Sequence, residues 1–344
     1  MIKHMKQIRS TCALLIVSAL YLTPPALSAE DSVKVTADNY VRAETDFQLK
    51  TYVGTMKNFG KFVHSRKPYD VNNQVTIRAN RDTLYSFGIF DLTSPLTVTL
   101  PDPGDRYQSL MVINQDHSIA ADYGPKEFTL TTKNVGTRYV FLAIRTFMDP
   151  ADEADVKAAH ALQDKVVAKQ SDIGKLELPE WNKEEVEKMR ETINVVATTV
   201  SDSSKMFGRK EKLDPVYHML GAAIGWGGLP AEAATYGNVT PAKNDGKTAY
   251  TLTVKDVPVD GFWSVTLYDD KGWMPVNEYN AYSLNNVTAK KSDDGSITIR
   301  FGGDPKADNF LPIVKGWNYV VRQYRPRKEI LDGSWTFPAP VEVK

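Results

Sequence analysis

Leu96-Thr97-Val98-Thr99-Leu100 alternates large apolar residues with threonine, and Pro101-Asp102-Pro103-Gly104-Asp105 follows it directly. A period of two is typical of a β-strand that buries one face. The dense proline, aspartate and glycine content of the next five residues indicates a turn. Tyr107 to Ile113 predicts another strand after that turn. The basic unit of this fold is therefore a short strand followed by a tight turn.

The same unit recurs on both sides of this stretch. Leu84, Phe87 and Ile89 lie in one strand-like run before it, and the runs Phe128 to Thr132 and Tyr139 to Thr146 follow it. Several short strands separated by turns predict a β-rich fold of mainly antiparallel sheets, arranged as a sandwich or a barrel-like, partly closed sheet. No internal repeat is visible in the sequence.

A second β region lies near the C-terminus. Its predicted strands are Tyr250 to Val254, Phe262 to Tyr268, Ile297 to Phe301 and Trp317 to Tyr324. The chain is therefore predicted to contain two β modules.

Helices are predicted before and between these modules. Apolar residues at helical spacing indicate an N-terminal helix over Val35 to Phe59. Capping residues mark three further helices, which begin at Asp149-Pro150, at Asn182 and at Asp214. They form a helical connection between the modules.

The predicted organisation has four parts. The length of the chain exceeds that of one typical domain, which favours two modules. The parts are a signal peptide at 1–29, an N-terminal β module with its leading helix at 30–149, a helical connecting region at 150–240 and a C-terminal β module at 241–344.

The first 29 residues predict export. Three basic residues precede the apolar run Ala13 to Leu22, and small residues follow, with cleavage expected after Ser28 or after Ala29. This is the layout of a secretory signal peptide, and its apolar run is too short to span a bilayer. We therefore expect a periplasmic or secreted protein.

Cleavage would also change the composition of the chain. Cys12 is the single cysteine and lies in the signal peptide, so the mature protein has no disulfide, no cysteine nucleophile and no thiolate metal ligand. Loss of Lys3, Lys6 and Arg9 leaves 39 basic and 42 acidic residues, a net charge of −3. This charge gives no basis for binding nucleic acid or an anionic membrane surface. No later stretch is long and apolar enough to predict a transmembrane segment.

Two sets of motifs resemble known families. Arg78 to Ser86, with the turn at Leu100-Pro101 and with Arg106-Tyr107, is similar to the domain of unknown function 1254. Resemblance to this domain implies a β-rich module and brings no settled activity.

The second set of motifs lies in the C-terminal module. Phe262 to Asp269, Asn309 to Pro312, Val321 to Pro326 and Asp332 to Trp335 together resemble the domain of unknown function 1214. Phe310 stands where that family more often has tryptophan. The two domains commonly occur in this order in one chain, so the resemblance implies a two-module fold.

The strand Trp317 to Tyr324 carries an unusual charge. By the period of two, Arg322 and Tyr324 share one face, and a buried guanidinium requires a partner. The partner is either a carboxylate such as Asp82, in an internal ion pair, or the carboxylate or phosphate of a ligand. Arg322 and Tyr324 are therefore candidate substrate-binding residues.

A polar cluster precedes the first strands. A loop here could present Arg78, Asn80 and Asp82 to a cleft. The alternative is local: Asp82 caps the turn and pairs with Arg81. We assign Asp82 a candidate catalytic role, and Arg78, Asn80 and the motif residue Tyr107 candidate substrate-binding roles.

His117 is the best general-base candidate by residue type. It ends a strand and titrates near neutral pH, and Asp116 could orient it. A turn or surface histidine is the alternative. No nucleophile is identifiable beside it, so no hydrolase triad is assigned.

Six aromatic residues could line a cavity or simply form the core, namely Trp226, Tyr236, Trp263, Trp273, Tyr279 and Trp335.

Motifs for the common cofactors are absent from the sequence. It has no nucleophile elbow, no zinc-protease helix, no phosphate-binding glycine loop and no dinucleotide fingerprint, so we expect no organic cofactor and assign no metal ligand.

The sequence favours an exported protein that binds or transforms a small polar or anionic organic molecule in a cleft between the modules. If it is an enzyme, hydrolysis or proton transfer is expected. The alternative is a non-catalytic partner-binding or structural envelope protein, which a flat apolar patch in place of a cavity would favour.

Overall fold

A computed structural model describes residues 32–74, 76–200 and 202–344, so the predicted signal peptide lies outside the described residues. The described chain is rich in antiparallel sheets and begins with a helix, which confirms the predicted fold class. No sheet closes into a barrel in the part of the chain that is described. Within that part, no helix has the length and apolar character to cross a membrane.

The N-terminal module is a sandwich of a five-stranded sheet and a three-stranded sheet. The predicted alternation of Leu96–Leu100 is confirmed, because its three apolar residues are buried while its two threonines are half-buried. These residues pack against Leu110, Leu142 and Ile144 of the larger sheet. The strands are β1 (Phe62–His64), β2 (Thr83–Asp91), β3 (Leu96–Leu100), β4 (Gln108–Asn114), β5 (Ile119–Tyr123), β6 (Lys126–Leu130), β7 (Tyr139–Phe147) and β8 (Val167–Gln170).

The C-terminal module is a second sandwich, made of two four-stranded sheets. Its core includes Phe301, which stacks on Trp317 and on Tyr319 with ring centroids 5.0 Å apart in each pair. The strands are β9 (Ala234–Val239), β10 (Tyr250–Val254), β11 (Trp263–Tyr268), β12 (Ser283–Asn285), β13 (Ile297–Phe301), β14 (Phe310–Leu311), β15 (Asn318–Tyr324) and β16 (Val341–Glu342).

The second sandwich repeats the topology of the first. One sheet has the order β2-β7-β4-β5 in the N-terminal module and β9-β15-β11-β12 in the C-terminal module, with β1 as an extra edge strand in the first. The other sheet has the order β6-β3-β8 in the N-terminal module and β13-β10-β16 in the C-terminal module, with β14 as an extra edge strand in the second. The fold therefore contains an internal repeat that was not visible in the sequence.

Helices cover the outer face of the five-stranded sheet and link the modules. The N-terminal helix spans Tyr40–Met56, shorter at both ends than predicted, and α3 begins at Glu153, capped by Asp152 and not by Asp149. Asn182 and Asp214 cap the next two long helices as predicted. The helices are α1 (Tyr40–Met56), α2 (Thr132–Val135), α3 (Glu153–Asp164), α4 (Lys183–Ala197), α5 (Pro215–Ile224) and α6 (Lys328–Leu331).

The two sandwiches meet through the outer face of the five-stranded sheet and the outer face of the sheet that contains β9, β11, β12 and β15. Phe262, just before β11, packs edge-on against Phe147 of β7 with ring centroids 4.9 Å apart and stacks on Tyr324 of β15 at 4.3 Å. Tyr107 lies 5.2 Å from the same phenylalanine ring. All four side chains are buried, so the modules share one apolar core at this junction.

Candidate ligand site

A row of polar side chains crosses the outer face of the five-stranded sheet. Tyr85 on β2 lies opposite Arg145 on β7, which lies opposite Ser109 on β4, which lies opposite Tyr123 on β5. Directly opposite residues in antiparallel strands point to the same face. We call these four residues the polar row. They lie on the face that also carries the buried apolar residues Met111, Ile113 and Phe141, where a polar group without a partner is costly.

Arg145 is the charged member of the row and is only 8% exposed. Among the described residues it forms no ion pair with any carboxylate. One N–H group points at the sulfur of Met111, at 3.7 Å, and the guanidinium carbon lies 5.3 Å from the centre of the Tyr85 ring. The Tyr85 side chain is also a hydrogen-bond partner of Arg145. None of these contacts supplies the carboxylate that a buried guanidinium usually pairs with.

The C-terminal module has a matching row. Tyr236 on β9 lies opposite Arg322 on β15, which lies opposite Ser264 on β11. These three strands correspond to β2, β7 and β4. A tyrosine, an arginine and a serine, one on each strand, therefore lie side by side at equivalent positions in both sandwiches. Arg145 and Arg322 are therefore structural counterparts.

The hydrogen bonds of Arg322 differ sharply from those of its counterpart. Its guanidinium donates to the carbonyl oxygen of Arg78 at 2.7 Å, to the hydroxyl of Tyr268 at 2.7 Å and to the hydroxyl of Thr266 at 2.9 Å. Protein oxygens thus satisfy Arg322, whereas Arg145 faces no comparable set.

A cavity of about 500 Å³ lies beside Arg145. Its polar wall includes Asn80, Thr83 and Tyr85 next to the guanidinium, and Lys67 is an exposed cation on its rim. The rest of the lining is mostly aromatic and apolar and includes Tyr52, Phe87, Met111, Phe141, Ala143 and Trp226. A small molecule with one anionic group and an apolar body matches this distribution.

Tyr85 is held in the wall by a shared amide. The side-chain nitrogen of Asn80 lies 3.0 Å from the Thr83 hydroxyl, 3.2 Å from the Tyr324 hydroxyl and 3.5 Å from the Tyr85 hydroxyl. Burial alone would raise the pKa of Tyr85, but the adjacent charge of Arg145 and these hydrogen bonds together bring that pKa below its ordinary value of 10.0. The phenolate form is therefore stabilised at this position.

Comparison with known families follows the same division of the chain. Residues 59–127 match the family model described as Protein of unknown function (DUF1254), and residues 233–328 match the one described as Protein of unknown function (DUF1214). The two matched segments lie in the predicted order along the chain. The predicted resemblance is therefore confirmed. Tyr85, Ser109 and Tyr123 of the polar row lie in the first matched segment and Arg322 lies in the second, whereas Arg145 lies between the two.

Two solved structures are similar to this chain. The crystal structure of the VPA0106 protein from Vibrio parahaemolyticus is similar over 90% of this chain and 98% of that chain, with a TM-score of 0.68 and 20% sequence identity. An uncharacterized protein from Burkholderia cenocepacia is similar over 89% of this chain and 88% of its own, with a TM-score of 0.48 and 14% identity. No curated protein matches the chain. The likeness to the Vibrio parahaemolyticus protein concerns the fold alone.

Asn80 and Tyr324 are the predicted residues that lie at the cavity. Asn80 lines it, and the Tyr324 hydroxyl accepts the hydrogen bond from Asn80 behind the wall. Tyr107 lies in the aromatic junction between the DUF1254 and DUF1214 modules, with its hydroxyl buried and unpaired. Their roles in binding remain predictions.

Arg78 and Arg322 meet outside the cavity. The segment 66–82, called the strap below, is described except for residue 75, and it contributes several residues to the cavity wall. Arg322 binds the strap through the Arg78 carbonyl, while the Arg78 side chain donates to Asn318 at 2.8 Å. The geometry makes both arginines anchors that position the strap.

Asp82 does not pair with either arginine considered in the sequence. One carboxylate oxygen accepts from the hydroxyl of Ser283 at 2.9 Å, and the other is buried without a hydrogen-bond partner. Arg81 donates instead to the carbonyl oxygen of Tyr69. The turn is capped by Asn80, whose side-chain oxygen accepts from the Asp82 amide at 2.8 Å. The ion-pair and capping interpretations of Asp82 were therefore wrong, and its catalytic role remains a prediction.

His117 lies behind the cavity wall and is fully buried, which differs from a surface histidine. Its Nε2 accepts a hydrogen bond from the amide of Gly227 at 3.0 Å, and its ring stacks between His218 and Trp226. Burial, together with the neighbouring His218, lowers its pKa to about 3, so the ring is neutral near pH 7. Its position supports the wall residues Trp226 and Gly227, and its role as a base remains a prediction.

Arg145 and Tyr85 were not identified in the sequence. A signal existed: Arg145-Thr146-Phe147 parallels Arg322-Gln323-Tyr324, and Tyr107-Gln108-Ser109 parallels Phe262-Trp263-Ser264. No group of three or more potential metal ligands of the His, Cys, Asp or Glu type clusters within the described ranges.

Proposed function

We propose that this protein is exported and binds a small organic anion, a carboxylate with an apolar or aromatic body, in the cavity beside Arg145. The observation that carries the proposal is a buried guanidinium that faces a cavity and pairs with no carboxylate. A buried unpaired charge is costly, and a bound anion would remove that cost with two charge-assisted hydrogen bonds.

The contrast with Arg322 strengthens this proposal. At the equivalent position of the repeated fold, backbone and hydroxyl oxygens supply the acceptors. At Arg145 a cavity of about 500 Å³ takes their place. A concave site with one buried cation also favours a small ligand over the alternative of a partner-binding surface, which would need a broad exposed patch.

Ligand chemistry follows from the walls. The planar guanidinium fork fits the two oxygens of a carboxylate, and the facing rings of Phe87, Phe141 and Trp226 fit an aromatic or branched apolar body. Exposed Lys67 at the rim would attract the anion before it enters.

Binding is tested by isothermal titration with benzoate, phenylacetate and phenyl phosphate, and with neutral benzamide as the uncharged analogue. We expect binding of at least one anion, none of benzamide, and loss of binding in Arg145→Met. Arg145→Lys should bind more weakly, because a lysine cannot form the two-pronged contact. Arg300→Met, on the outer sheet of the C-terminal sandwich, is the matched control and should bind as the wild type does.

Failure of all three anions to bind, or full binding by Arg145→Met, would contradict the proposed function. Export is tested separately by N-terminal sequencing of the mature protein. We expect it to begin at Ala29 or Glu30, and an exported protein that begins at Met1 would refute cleavage.

A further inference from the structure

We propose that Tyr85 is a catalytic acid–base residue, so that the anion held at Arg145 is a substrate that gains and loses a proton on the carbon next to a carbonyl group. This inference rests on the proposed function, because Arg145 must first hold the anion. The substrate class is a small 2-oxo carboxylate with an aromatic or branched apolar body.

The first support is position. Tyr85 and Arg145 are directly opposite each other on neighbouring strands, and both line the cavity. The Tyr85 ring stacks on Phe87 with ring centroids 5.4 Å apart and an interplanar angle of 16°, which fixes its direction. A ligand bound to the guanidinium through its carboxylate would therefore place its next carbons beside the phenol oxygen.

The second support is the difference between Tyr85 and the tyrosines around it. The ionisable groups facing Tyr85 are Arg145, Tyr52 of α1, Tyr236 of β9 and Tyr324 of β15. Burial of the hydroxyl raises the pKa of each of those three tyrosines. The pKa of Tyr85 is lowered, because Arg145 and Asn80 favour its phenolate more than burial opposes it.

The proposed step needs no oxidant and no second reactant. The Tyr85 phenolate takes the proton from the carbon beside the keto group. The electron pair of the broken carbon–hydrogen bond forms a double bond to the keto carbon, and the π pair of the carbonyl group moves onto the keto oxygen. The product is an enolate with Tyr85 as a neutral phenol, while the Arg145 N–H groups hold the carboxylate and stabilise the added negative charge. Return of the proton to carbon or to oxygen restores the phenolate.

The probe for this step is 3-phenylpyruvate in D2O, followed by proton NMR as its C3 protons exchange with deuterium. We expect the wild type to accelerate exchange and Tyr85→Phe to lower the enzyme-dependent rate by about 100-fold or more. Tyr85→Phe should still bind phenylpyruvate with a dissociation constant within a few-fold of that of the wild type. Tyr123→Phe, at the far end of the polar row and away from the cavity, should exchange at the wild-type rate.

A second readout does not depend on turnover. Phenolate absorbance at 295 nm should show one tyrosine that ionises below pH 10 in the wild type and in Tyr123→Phe, and this step should be missing from Tyr85→Phe.

The outcomes separate the two proposals. Suppose that phenylpyruvate binds and that this binding depends on Arg145. If the wild type then fails to accelerate exchange, or if Tyr85→Phe accelerates it as much as the wild type does, the acid–base role is refuted and the binding function stands. Superimposable titrations of wild type and Tyr85→Phe also overturn the role. If phenylpyruvate binding is unaffected in Arg145→Met, the proposed function itself fails.

Discussion

Arg145 and Arg322 occupy the same place in two copies of one sandwich, yet their surroundings assign them opposite tasks. Arg322 is saturated by oxygens of the protein and anchors the strap. Arg145 is buried beside a cavity, and its neighbours are the Met111 thioether and the Tyr85 side chain, with no carboxylate in an ion pair among the described residues. Arg322 should therefore stabilise the folded protein, and Arg145 should destabilise it until a ligand is bound.

Substitution by methionine tests this difference. Without ligand, we expect Arg145→Met to leave the free energy of unfolding unchanged or to raise it by up to about 4 kcal/mol, because a buried unpaired charge is replaced by an apolar side chain. Arg322→Met should lower it by about 2–4 kcal/mol, because the carbonyl of Arg78 and the hydroxyl of Tyr268 lose their donor. Urea denaturation of both variants measures the two values. Equal losses of stability would contradict the assignment.

Sequence reasoning identified the saturated arginine and missed the other. Arg322 lies in a motif with a known resemblance, and a charge at that point of a strand invited a search for its partner. Arg145 ends a run that reads as a fully buried strand, Tyr139–Phe147. Whether its charge is paired depends on β2, β4 and the helices, which are distant in sequence, so no local pattern could show it.

The strap is the element that joins the cavity to the DUF1214 module. The Gln74 side chain forms two reciprocal hydrogen bonds with the backbone of Met274, at 2.8 and 2.9 Å. Tyr268 donates to the Ala79 carbonyl at 2.7 Å, close to the Arg322 contact. Since the strap supplies part of the cavity wall, these contacts should set how often the site is competent to bind.

Gln74→Ala should loosen the strap without altering any cavity residue. The loss of two hydrogen bonds should make the free energy of strap closure less favourable by about 1–3 kcal/mol. We therefore expect benzoate affinity to fall by roughly tenfold and amide exchange in the strap to accelerate. Titration calorimetry and hydrogen-exchange mass spectrometry measure the two effects. Asn73→Ala, an exposed neighbour, is the control, and wild-type affinity in Gln74→Ala would show that the strap does not govern binding.

Elements were predicted well where one face is buried and poorly where pairing is long-range. The alternation of Leu96–Leu100 located β3 without error, because burial of one face imposes the period. Ala234–Val239 lies in the region predicted as a helical connection, yet it pairs along its whole length with β15. Its sequence is short and contains glycine, so its strand conformation comes from the neighbouring strand and not from its own pattern.

At the scale of the molecule, repetition was hidden because it is kept in only a few side chains. The two sandwiches share strand order and the Tyr–Arg–Ser row, while their core residues differ. Cores tolerate extensive apolar exchange if volume is kept, so two copies of a fold can lose visible sequence similarity. The modules were predictable from strand spacing and motifs, but the equivalence of Arg145 and Arg322 required the sheet registers.

The shared junction predicts that the two sandwiches unfold together. Phe262 is 1% exposed and contacts aromatic residues of both modules, so its loss removes packing on both sides at once. We expect Phe262→Ala to lower the free energy of unfolding by about 3–5 kcal/mol and to keep a single transition. In hydrogen-exchange mass spectrometry, the amides of β7 and of β15 should lose protection to the same extent. Phe301→Ala, which changes the core of the C-terminal sandwich alone, supplies the comparison. If the amides of β15 lose protection in either variant while those of β7 keep theirs, the modules unfold independently. The junction would then be a docking contact and not a common core.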